Sequence, residues 1–235
     1  MVAKRVSEPA GRSFPPSLET NSLPSRRQGK ETFELILATA GKLLEEVGFE
    51  RLSTNMVSAE AGVTPPALYR YFPNKYALLA ELARRLMEAQ DEALLAWIET
   101  GGSASPDLEE SVRRHVALRK QLVTITRNFP GGVWILRAIR ALPLLQEVRI
   151  ASRNMVLDRR FEKLRETFPA VDEARLRMAI RLAEQVAYST IEMIVEDPGL
   201  DEDKMIEESA WMTCLYYEAR VSENASAASR KRRSA

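Results

Sequence analysis

Apolar residues recur every three or four positions through most of this sequence, which is the spacing of helices and not of strands. Long runs of Val, Ile and Thr, which would favour a sheet, are absent from the sequence. Prolines fall between the periodic segments, where they start or end helices without breaking them. The pattern predicts an all-α fold. These joints carry Pro106, Pro130, Pro143, Pro169 and Pro198.

The two ends of the sequence differ from its periodic middle. They mix Pro, Ser and charged residues without apolar periodicity, so we expect a disordered basic arm over 1–28 and a disordered basic tail over 222–235. Such a tail can hold nucleic acid electrostatically, and a solvated flexible end is the alternative. Between these ends, helices are predicted over 31–47, 54–61, 65–72, 75–100, 106–127, 132–141, 143–168, 172–195 and 201–221.

The scarcity of histidine and cysteine limits the chemistry that the chain can perform. His115 is the single histidine, so His-rich metal sites and His-based catalytic dyads cannot be assembled. Cys214 is the single cysteine, which excludes an intrachain disulfide and fits a reducing compartment. We expect no catalytic residues, no metal site and no cofactor. The alternative is a helical enzyme that uses Glu184, Glu192 and Glu196 on one helix face, although the Glu-x-x-His pairs of di-iron bundles are missing.

Hydropathy gives no sign of a membrane partner. No apolar run approaches the roughly 18 residues that a membrane-spanning helix needs. The N-terminus also lacks the apolar region of a signal peptide. We therefore expect a cytoplasmic protein.

The second and third predicted helices are short and are joined by a tight turn at Gly62, which is the sequence form of a helix-turn-helix. Thr64 is a favourable N-cap for the later helix. Pro65 and Pro66 then fall in its first turn, where backbone amides have no intrahelical partner. The missing N–H groups of the two prolines therefore cost little.

This third helix is expected to have one buried face and one exposed face. Leu68 and Phe72 lie one turn apart and should face inward, so that Tyr69, Arg70 and Tyr71 project outward. Tyrosine hydroxyls can donate to phosphate oxygens, and an arginine can bind both acceptors of a guanine edge. The free amides at the start of the fourth helix also suit a phosphate.

The segment FERLSTNMVSAEAGVTPPALYRYFPNKYALLAEL resembles the DNA-binding domain of TetR-family transcriptional regulators. The resemblance lies in an AGV turn, an L-Y-x-[HY]-F helix and an F-x-[ND]-K start of the fourth helix, and it covers about residues 30–82. It implies a helix-turn-helix DNA-binding domain over 29–76, joined through the long fourth helix to a larger helical ligand-binding and dimerisation domain over 77–221. It further implies a homodimeric repressor on near-palindromic double-stranded DNA, released by a small apolar or amphipathic effector. A regulator without an effector, whose large domain only dimerises, is the alternative.

By this resemblance, two sets of side chains would touch DNA. Hydrogen-bonded reading would depend on Thr64, Arg70 and Asn55, because a proline ring cannot donate and can only pack on a thymine methyl. Arg26, Arg27 and Lys30 of the arm would reach the minor groove or the backbone, with a solvated arm as the alternative. The phosphate contacts would be Thr54, Tyr69, Tyr71 and Lys75. The base contacts would be Asn55, Thr64, Pro65, Pro66 and Arg70.

The predicted helix over 143–168 is apolar on two faces, so it must be covered on both sides. This places it centrally in a bundle or, as the resemblance implies, in the wall of a ligand cavity. Arg137, Arg140 and Arg153 would meet an anionic ligand, with exposed positions as the alternative. The candidate lining residues, for which an ordinary core position is the alternative, are Leu118, Leu122, Ile125, Phe129, Trp134, Met155 and Tyr188.

The last two long predicted helices carry stripes suited to close helix contact. In the first of them an alanine recurs every four residues, which would let a partner helix approach closely. Two such helices from each protomer would form a symmetric four-helix bundle, and a bundle within one chain is the alternative. The predicted interface residues are Ala179, Ala183, Ala187, Ile206, Ala210, Cys214 and Tyr217.

Overall fold

The computed structural model describes residues 17–102, 105 and 107–219. These residues form helices and connecting turns without any strand, which confirms the all-α prediction. The basic tail and the first sixteen residues of the arm lie outside the described residues. The helices are α1 Arg27–Arg51, α2 Thr54–Glu60, α3 Pro65–Tyr69, α4 Lys75–Glu99, α5 Leu108–Asn128, α6 Gly132–Ala141, α7 Pro143–Thr167, α8 Glu173–Glu196 and α9 Glu202–Tyr217.

Helix ends follow the capping residues closely. Ser53, Thr64 and Asn74 each accept a hydrogen bond from a first-turn amide at the start of α2, α3 and α4. Gly48 has a φ of 73° and interrupts α1, as expected for a glycine that ends a helical run. The third helix ends at Tyr69, three residues earlier than predicted, because a turn through Arg70 precedes Pro73.

Residues 17–26 correct the expectation of a disordered arm through residue 28, because they form an ordered extended segment and α1 begins at Arg27. The carbonyl of Ser17 accepts from Asn74 Nδ2 at 3.0 Å, and that of Leu18 accepts from Arg84 at 3.2 Å. The Leu18 side chain packs against the apolar core. Backbone hydrogen bonds and one apolar anchor therefore hold a sequence that carries no helical period.

The apolar core runs without a break from α1 to α9, so the N-terminal helices share it with the larger helical part. Helix α4 is central to this arrangement, since its N-terminal half packs against α1 and its length packs against α7. Glu34 of α1 receives two hydrogen bonds from Arg85 of α4, and these hold the pKa of Glu34 below its usual value. The long helix is thus fixed to the helix-turn-helix by packing and by charge.

A second connection joins α1 to the turn between α5 and α6. The amide of Gly131 donates to Glu45 Oε1 at 2.7 Å, and Gly131 adopts a φ of 74° that favours glycine. A Cβ on Gly41 would lie 2.8 Å from the Pro130 carbonyl oxygen, so that only glycine allows this approach. The N-terminal helices therefore contact the larger part at two places.

Candidate nucleic-acid interface and ligand cavity

Helices α2 and α3 form a tightly connected pair. The Val63 amide donates to the Ser58 carbonyl at 3.0 Å across the turn. The hydroxyls of Thr54 and Tyr69 lie 3.0 Å apart, which links the start of α2 to the end of α3. Leu68 is completely buried beneath them. The pair therefore presents a fixed outer surface.

That outer surface carries most of the predicted DNA contacts. The Thr64 hydroxyl accepts from the Ala67 amide at 3.4 Å and keeps its own proton available for a donor role. Tyr69 is also exposed, and its hydroxyl is held by Thr54. All five predicted base-contacting residues have exposed side chains, namely Asn55, Thr64, Pro65, Pro66 and Arg70.

Tyr71 is a correction to the predicted set, because its side chain is only 4% exposed. Its ring packs edge-on against Phe33 of α1, with 5.6 Å between ring centroids. The helix has ended at Tyr69, so the outward direction expected for a continuing helix does not apply. Tyr71 is therefore a core residue and not a surface phosphate contact.

Lys75 also has a role that the sequence did not indicate. Its ammonium donates to the carbonyls of Phe49 and Glu50, at 3.2 and 3.0 Å, and so caps the C-terminal end of α1. The Asn74 side chain accepts from the amides of Tyr76 and Ala77, which satisfies two of the amides expected to suit a phosphate. Both groups stabilise the junction between α1 and α4.

The ordered N-terminal segment caps the C-terminal end of α3. Asn21 Nδ2 donates to the Tyr69 carbonyl at 2.8 Å, and the Asn21 amide donates to the Tyr71 carbonyl at 2.8 Å. Ser22 Oγ donates to the Arg70 carbonyl at 3.1 Å. Three carbonyls that the helix leaves without partners are thereby satisfied.

Replacing Asn21 with Ala is expected to loosen α3, because the Tyr69 carbonyl loses its side-chain donor. We expect a loss of about 1 kcal/mol in the free energy of unfolding and faster hydrogen exchange at the amides of α3. Exchange measured by mass spectrometry checks this. Ser25→Ala, in the same segment, is the matched control, and equal exchange in the two variants would contradict the capping role.

Arg26, Arg27 and Lys30 lie at the junction between this segment and α1. Arg26 is the N-cap residue, and Arg27 pairs with Glu31 at 2.9 Å. All three basic side chains are exposed.

A cavity of about 70 Å³ lies at the centre of the larger part, among α4, α5, α7, α8 and α9. Leu118, Leu122 and Tyr188, three of the seven candidate lining residues, lie in its wall. Its apolar wall also includes Leu94, Trp97, Ile98, Val156, Leu157 and Ile191. Its polar lining includes Gln90, His115, Arg119, Arg160, Glu184 and Thr213.

The other predicted lining residues lie elsewhere. Ile125, Phe129 and Trp134 pack against the main core, and Trp134 covers Gly48 of α1. Met155 is exposed, as are Ile150 and Ala151 on the preceding turns of α7. Arg140 and Arg153 line a separate groove of about 260 Å³ on the surface, and Arg137 stacks on the Trp134 ring.

Two buried polar pairs connect α4 to its neighbours beside the cavity. Gln90 Nε2 donates to Thr126 Oγ1 at 2.8 Å, and Ser152 Oγ donates to Asp91 Oδ1 at 2.9 Å. Burial raises the pKa of Asp91 to about 6, with the Ser152 hydrogen bond acting in the opposite direction. Periodicity alone could not indicate these pairs, because each joins residues far apart in the sequence.

The predicted interface stripe faces the interior of its own chain, which is a second correction. Ala179 is completely buried in a cluster with Phe161 and Leu164 of α7. Ala183 and Ala187 line the cavity. The α9 residues Ile206, Ala210 and Cys214 are buried within the chain, and Tyr217 packs against the cluster under α7 and α8. An alanine stripe indicates a close helix neighbour, and here that neighbour is intrachain.

A different face of α8 and α9 is apolar and exposed. Its members have 44 to 62% of their surface exposed, and they make up five of the ten exposed large apolar residues in the described part of the chain. The α8 members lie four and eleven residues apart, which is the spacing of a single helix face. We call this set the α8–α9 apolar face: Met178, Leu182 and Met193 of α8, with Met212 and Leu215 of α9.

The described residues contain no group of three or more His, Cys, Asp or Glu side chains arranged to hold a metal ion. Among the same residues, no helix combines the length and hydropathy needed to span a membrane.

The family model described as bacterial regulatory proteins, tetR family, matches residues 36–82, which run from α1 through α3 into α4. These residues form the DNA-binding domain of the TetR family of bacterial regulatory proteins. The chain is 32% identical to the HTH-type transcriptional regulator EthR of Mycolicibacterium smegmatis over 94 residues, 40% of this chain and 42% of EthR. It thus spans less than half the length of that relative. It is 26% identical to the nucleoid occlusion factor SlmA of Haemophilus influenzae over 195 residues, 83% of this chain and 82% of SlmA.

Solved structures of TetR-family regulators share the fold over most of this chain. A tetR-family transcriptional regulator from Streptomyces coelicolor superimposes with a TM-score of 0.61 at 16% identity, covering 86% of this chain and 88% of that one. SmeT in complex with triclosan gives a TM-score of 0.60 at 20% identity, covering 81% and 92%. At these identities the likeness establishes the fold, an N-terminal helix-turn-helix followed by a larger helical part.

Proposed function

We propose that this chain is a dimeric, sequence-specific DNA-binding repressor of the TetR family whose affinity for DNA is controlled by a small effector. The observation that carries the proposal is the exposed surface of α2 and α3, on which the five predicted base-contacting side chains surround a completely buried Leu68. A fixed surface of this kind fits the major groove, which admits a helix. Thr54 and Tyr69 would then contact phosphates beside it.

The α8–α9 apolar face supports dimerisation. Exposed methionine and leucine side chains at helical spacing are costly in water, and a second copy of the chain would cover them. A two-fold axis through this face would form the four-helix bundle expected from the sequence, but with Leu182 and Met212 in place of the buried alanines. The dimer would place two α3 helices about one DNA turn (~34 Å) or more apart.

The position of the cavity supports effector control. Its walls include α4, whose N-terminal end packs on α1, so a change at Trp97 can reach the helix-turn-helix through one rigid helix. At about 70 Å³ the cavity is far smaller than the ~300 to 1,000 Å³ of typical ligand sites. An effector would therefore bind a state in which the helices around the cavity have separated. Because the effector would bind this open state more tightly than the closed state, its binding would be coupled to the geometry of the DNA-binding surface.

The turn between α5 and α6 would provide a second connection between the cavity and the helix-turn-helix. Its contact with Gly41 and Glu45 joins the larger part directly to α1. Movement of α5 on effector binding would shift this turn and tilt the helix-turn-helix as a unit. The alternative, a regulator without an effector, would not explain why a cavity lies against α4.

Arg70→Ala is the test of base reading. On a duplex selected by the protein from a random pool, we expect a loss of about 1 to 3 kcal/mol in binding free energy, while affinity for a scrambled duplex changes little. Fluorescence anisotropy titrations on the two duplexes measure this.

Tyr69→Phe is the matched control, because it removes only a hydroxyl that would contact a phosphate. It should weaken both duplexes by the same factor. If Arg70→Ala also weakened the two duplexes equally, Arg70 would not read bases.

A further inference from the structure

Two buried guanidinium groups lie in the wall of the central cavity. Arg119 of α5 is 1% exposed, and Arg160 of α7 is 8% exposed. Arg119 donates to the His115 carbonyl, the Ser209 carbonyl and Thr213 Oγ1, at 3.3, 3.3 and 2.8 Å. Every one of these acceptors is neutral, so the charge of Arg119 has no counterion among them.

Arg160 has fewer partners than Arg119. Its guanidinium lies 3.4 Å from His115 Nε2 and 5.4 Å from the ring centroids of Trp97 and Tyr217. His115 Nδ1 donates to the Ser111 carbonyl at 2.8 Å, which leaves Nε2 to accept from Arg160. Burial, together with both arginines, lowers the pKa of His115 to about 3, so the imidazole is neutral and supplies no compensating charge.

The carboxylates do not neutralise this pair either. Neither Arg119 nor Arg160 is within ion-pair distance of a carboxylate in the part of the chain described. Glu184 is the one carboxylate among the described lining residues, and it is bonded to Arg149 at 3.4 Å. Arg153, Arg181 and, most weakly, Arg160 also act on Glu184 through space, so Glu184 offsets part of the Arg160 charge from beyond ion-pair distance. The wall therefore holds more positive than negative charge.

Several polar atoms of the cavity wall have no partner among the described residues. Three of them are donors, namely Nε of Arg119, Nε of Arg160 and Nε1 of Trp97, and the Tyr188 hydroxyl can donate as well. The one acceptor among them that cannot donate when ionised is Glu184 Oε2. A buried donor without an acceptor costs about 1 to 3 kcal/mol, and more when it is charged. Donors of this kind, beside two guanidinium groups that have no ion-pair partner among the described residues, are suited to an acceptor that carries negative charge.

The rest of the cavity wall indicates which chemical groups such a ligand would carry besides its negative charge. Leu94, Leu118, Leu122 and Ile191 give it an apolar surface, which a small inorganic anion would leave uncovered. Tyr188 lines both the cavity and the surface groove that contains Arg140 and Arg153. That groove offers positive charge on the outside of the same wall.

We propose that the effector is an amphipathic anion whose carboxylate binds Arg119 and Arg160 and whose apolar body packs against the apolar wall of the cavity. The proposal rests on the proposed function and adds the chemical class of the effector. The planar fork of a guanidinium matches a carboxylate through two parallel hydrogen bonds, and burial makes such a pair strong. Binding supplies Arg119 and Arg160 with an ion-pair partner, which the described residues do not.

The experiment compares ligands that share a tail and differ in head group. Full-length protein is titrated with n-alkanoates from butanoate to dodecanoate, with arylalkanoates, and with the matching alcohols and amines. Calorimetry measures the affinity for each compound, and the shift in Tm provides a second measure of binding. We expect carboxylates of a suitable length to bind at least tenfold more tightly than their alcohols. Acetate and phosphate, as anions without a tail, should bind at least tenfold more weakly.

Arg160→Met removes one charge at nearly constant volume. Replacing an uncompensated buried charge by an apolar side chain is often neutral or stabilising, so this variant should fold with an unchanged or higher Tm. We expect it to lose the preference for carboxylates over alcohols, and Arg160→Lys to keep part of it. Arg159→Met, which changes the neighbouring exposed arginine of α7, should bind like the unaltered protein.

Three results would overturn the proposal. These are equal binding of the best alkanoate and its alcohol, equal binding of acetate or phosphate and the best alkanoate, and an undiminished preference for carboxylates in Arg160→Met. A separate titration with the selected duplex distinguishes this proposal from the proposed function. If carboxylates bind selectively but leave the affinity for DNA unchanged, effector control is rejected and the anion site stands. If only neutral compounds release the protein from DNA, effector control stands and the anion site is rejected.

Discussion

Leu182→Arg is expected to convert the protein from a dimer to a monomer and to lower its affinity for a two-half-site duplex by about 100-fold or more. Leu182 is 46% exposed and lies in the middle of the α8–α9 apolar face. A two-fold interface contains each substitution twice, and each buried, unpaired guanidinium would cost several kcal/mol. Loss of the second half-site removes the gain of about 10²- to 10⁴-fold that linked binding provides.

Sedimentation velocity and anisotropy titrations measure the two effects on the same sample. Met155→Arg is the matched control, because Met155 is also 46% exposed but lies on α7, away from this face. It should remain a dimer and bind DNA normally. A Leu182→Arg protein that stays dimeric would place the interface on another surface.

Phe72→Ala is expected to lower the free energy of unfolding by about 3 to 5 kcal/mol. Phe72 is completely buried and stacks on Phe33 of α1, with 4.8 Å between ring centroids. The cavity left by the ring would open in the centre of the N-terminal helices. Because their core is continuous with that of the larger part, the loss should appear in a single transition.

Urea denaturation followed by circular dichroism measures this loss. Tyr69→Ala changes an exposed aromatic residue of the same region and should alter the free energy of unfolding by no more than about 1 kcal/mol. If Phe72→Ala cost as little as Tyr69→Ala, the N-terminal helices would not depend on this stacked pair.

Local signals in the sequence predicted most of the fold. Helix starts follow from side chains that accept from first-turn amides, as at Thr64 and Asn74, and these interactions act within a few residues. The inward position of Leu68 follows from helical spacing and was also found, and Phe72 is buried as predicted although it lies beyond the end of α3. Tyr71 was misplaced, because a five-residue helix ends before the periodicity can apply to it.

Contacts between distant residues explain what the sequence could not predict. The alanine stripe of α8 identified a close neighbour correctly, but the choice between an intrachain helix and a partner depends on the packing of the whole bundle. Arg119 and Arg160 carry no local signal of burial, since a charged residue is normally expected to be exposed. The segment around Asn21 has no period, and it is held by contacts with residues far along the sequence, at the end of α3 and in α4.

The proposed function requires the chain to read a DNA sequence as a symmetric pair. Selection of bound duplexes from a random pool by the full-length protein tests this most directly, because the pool contains every candidate operator of a given length. We expect enrichment of an inverted repeat whose half-site centres lie about one helical turn (~34 Å) or more apart. A pool without sequence enrichment, or a single half-site that binds as tightly as the repeat, would contradict it.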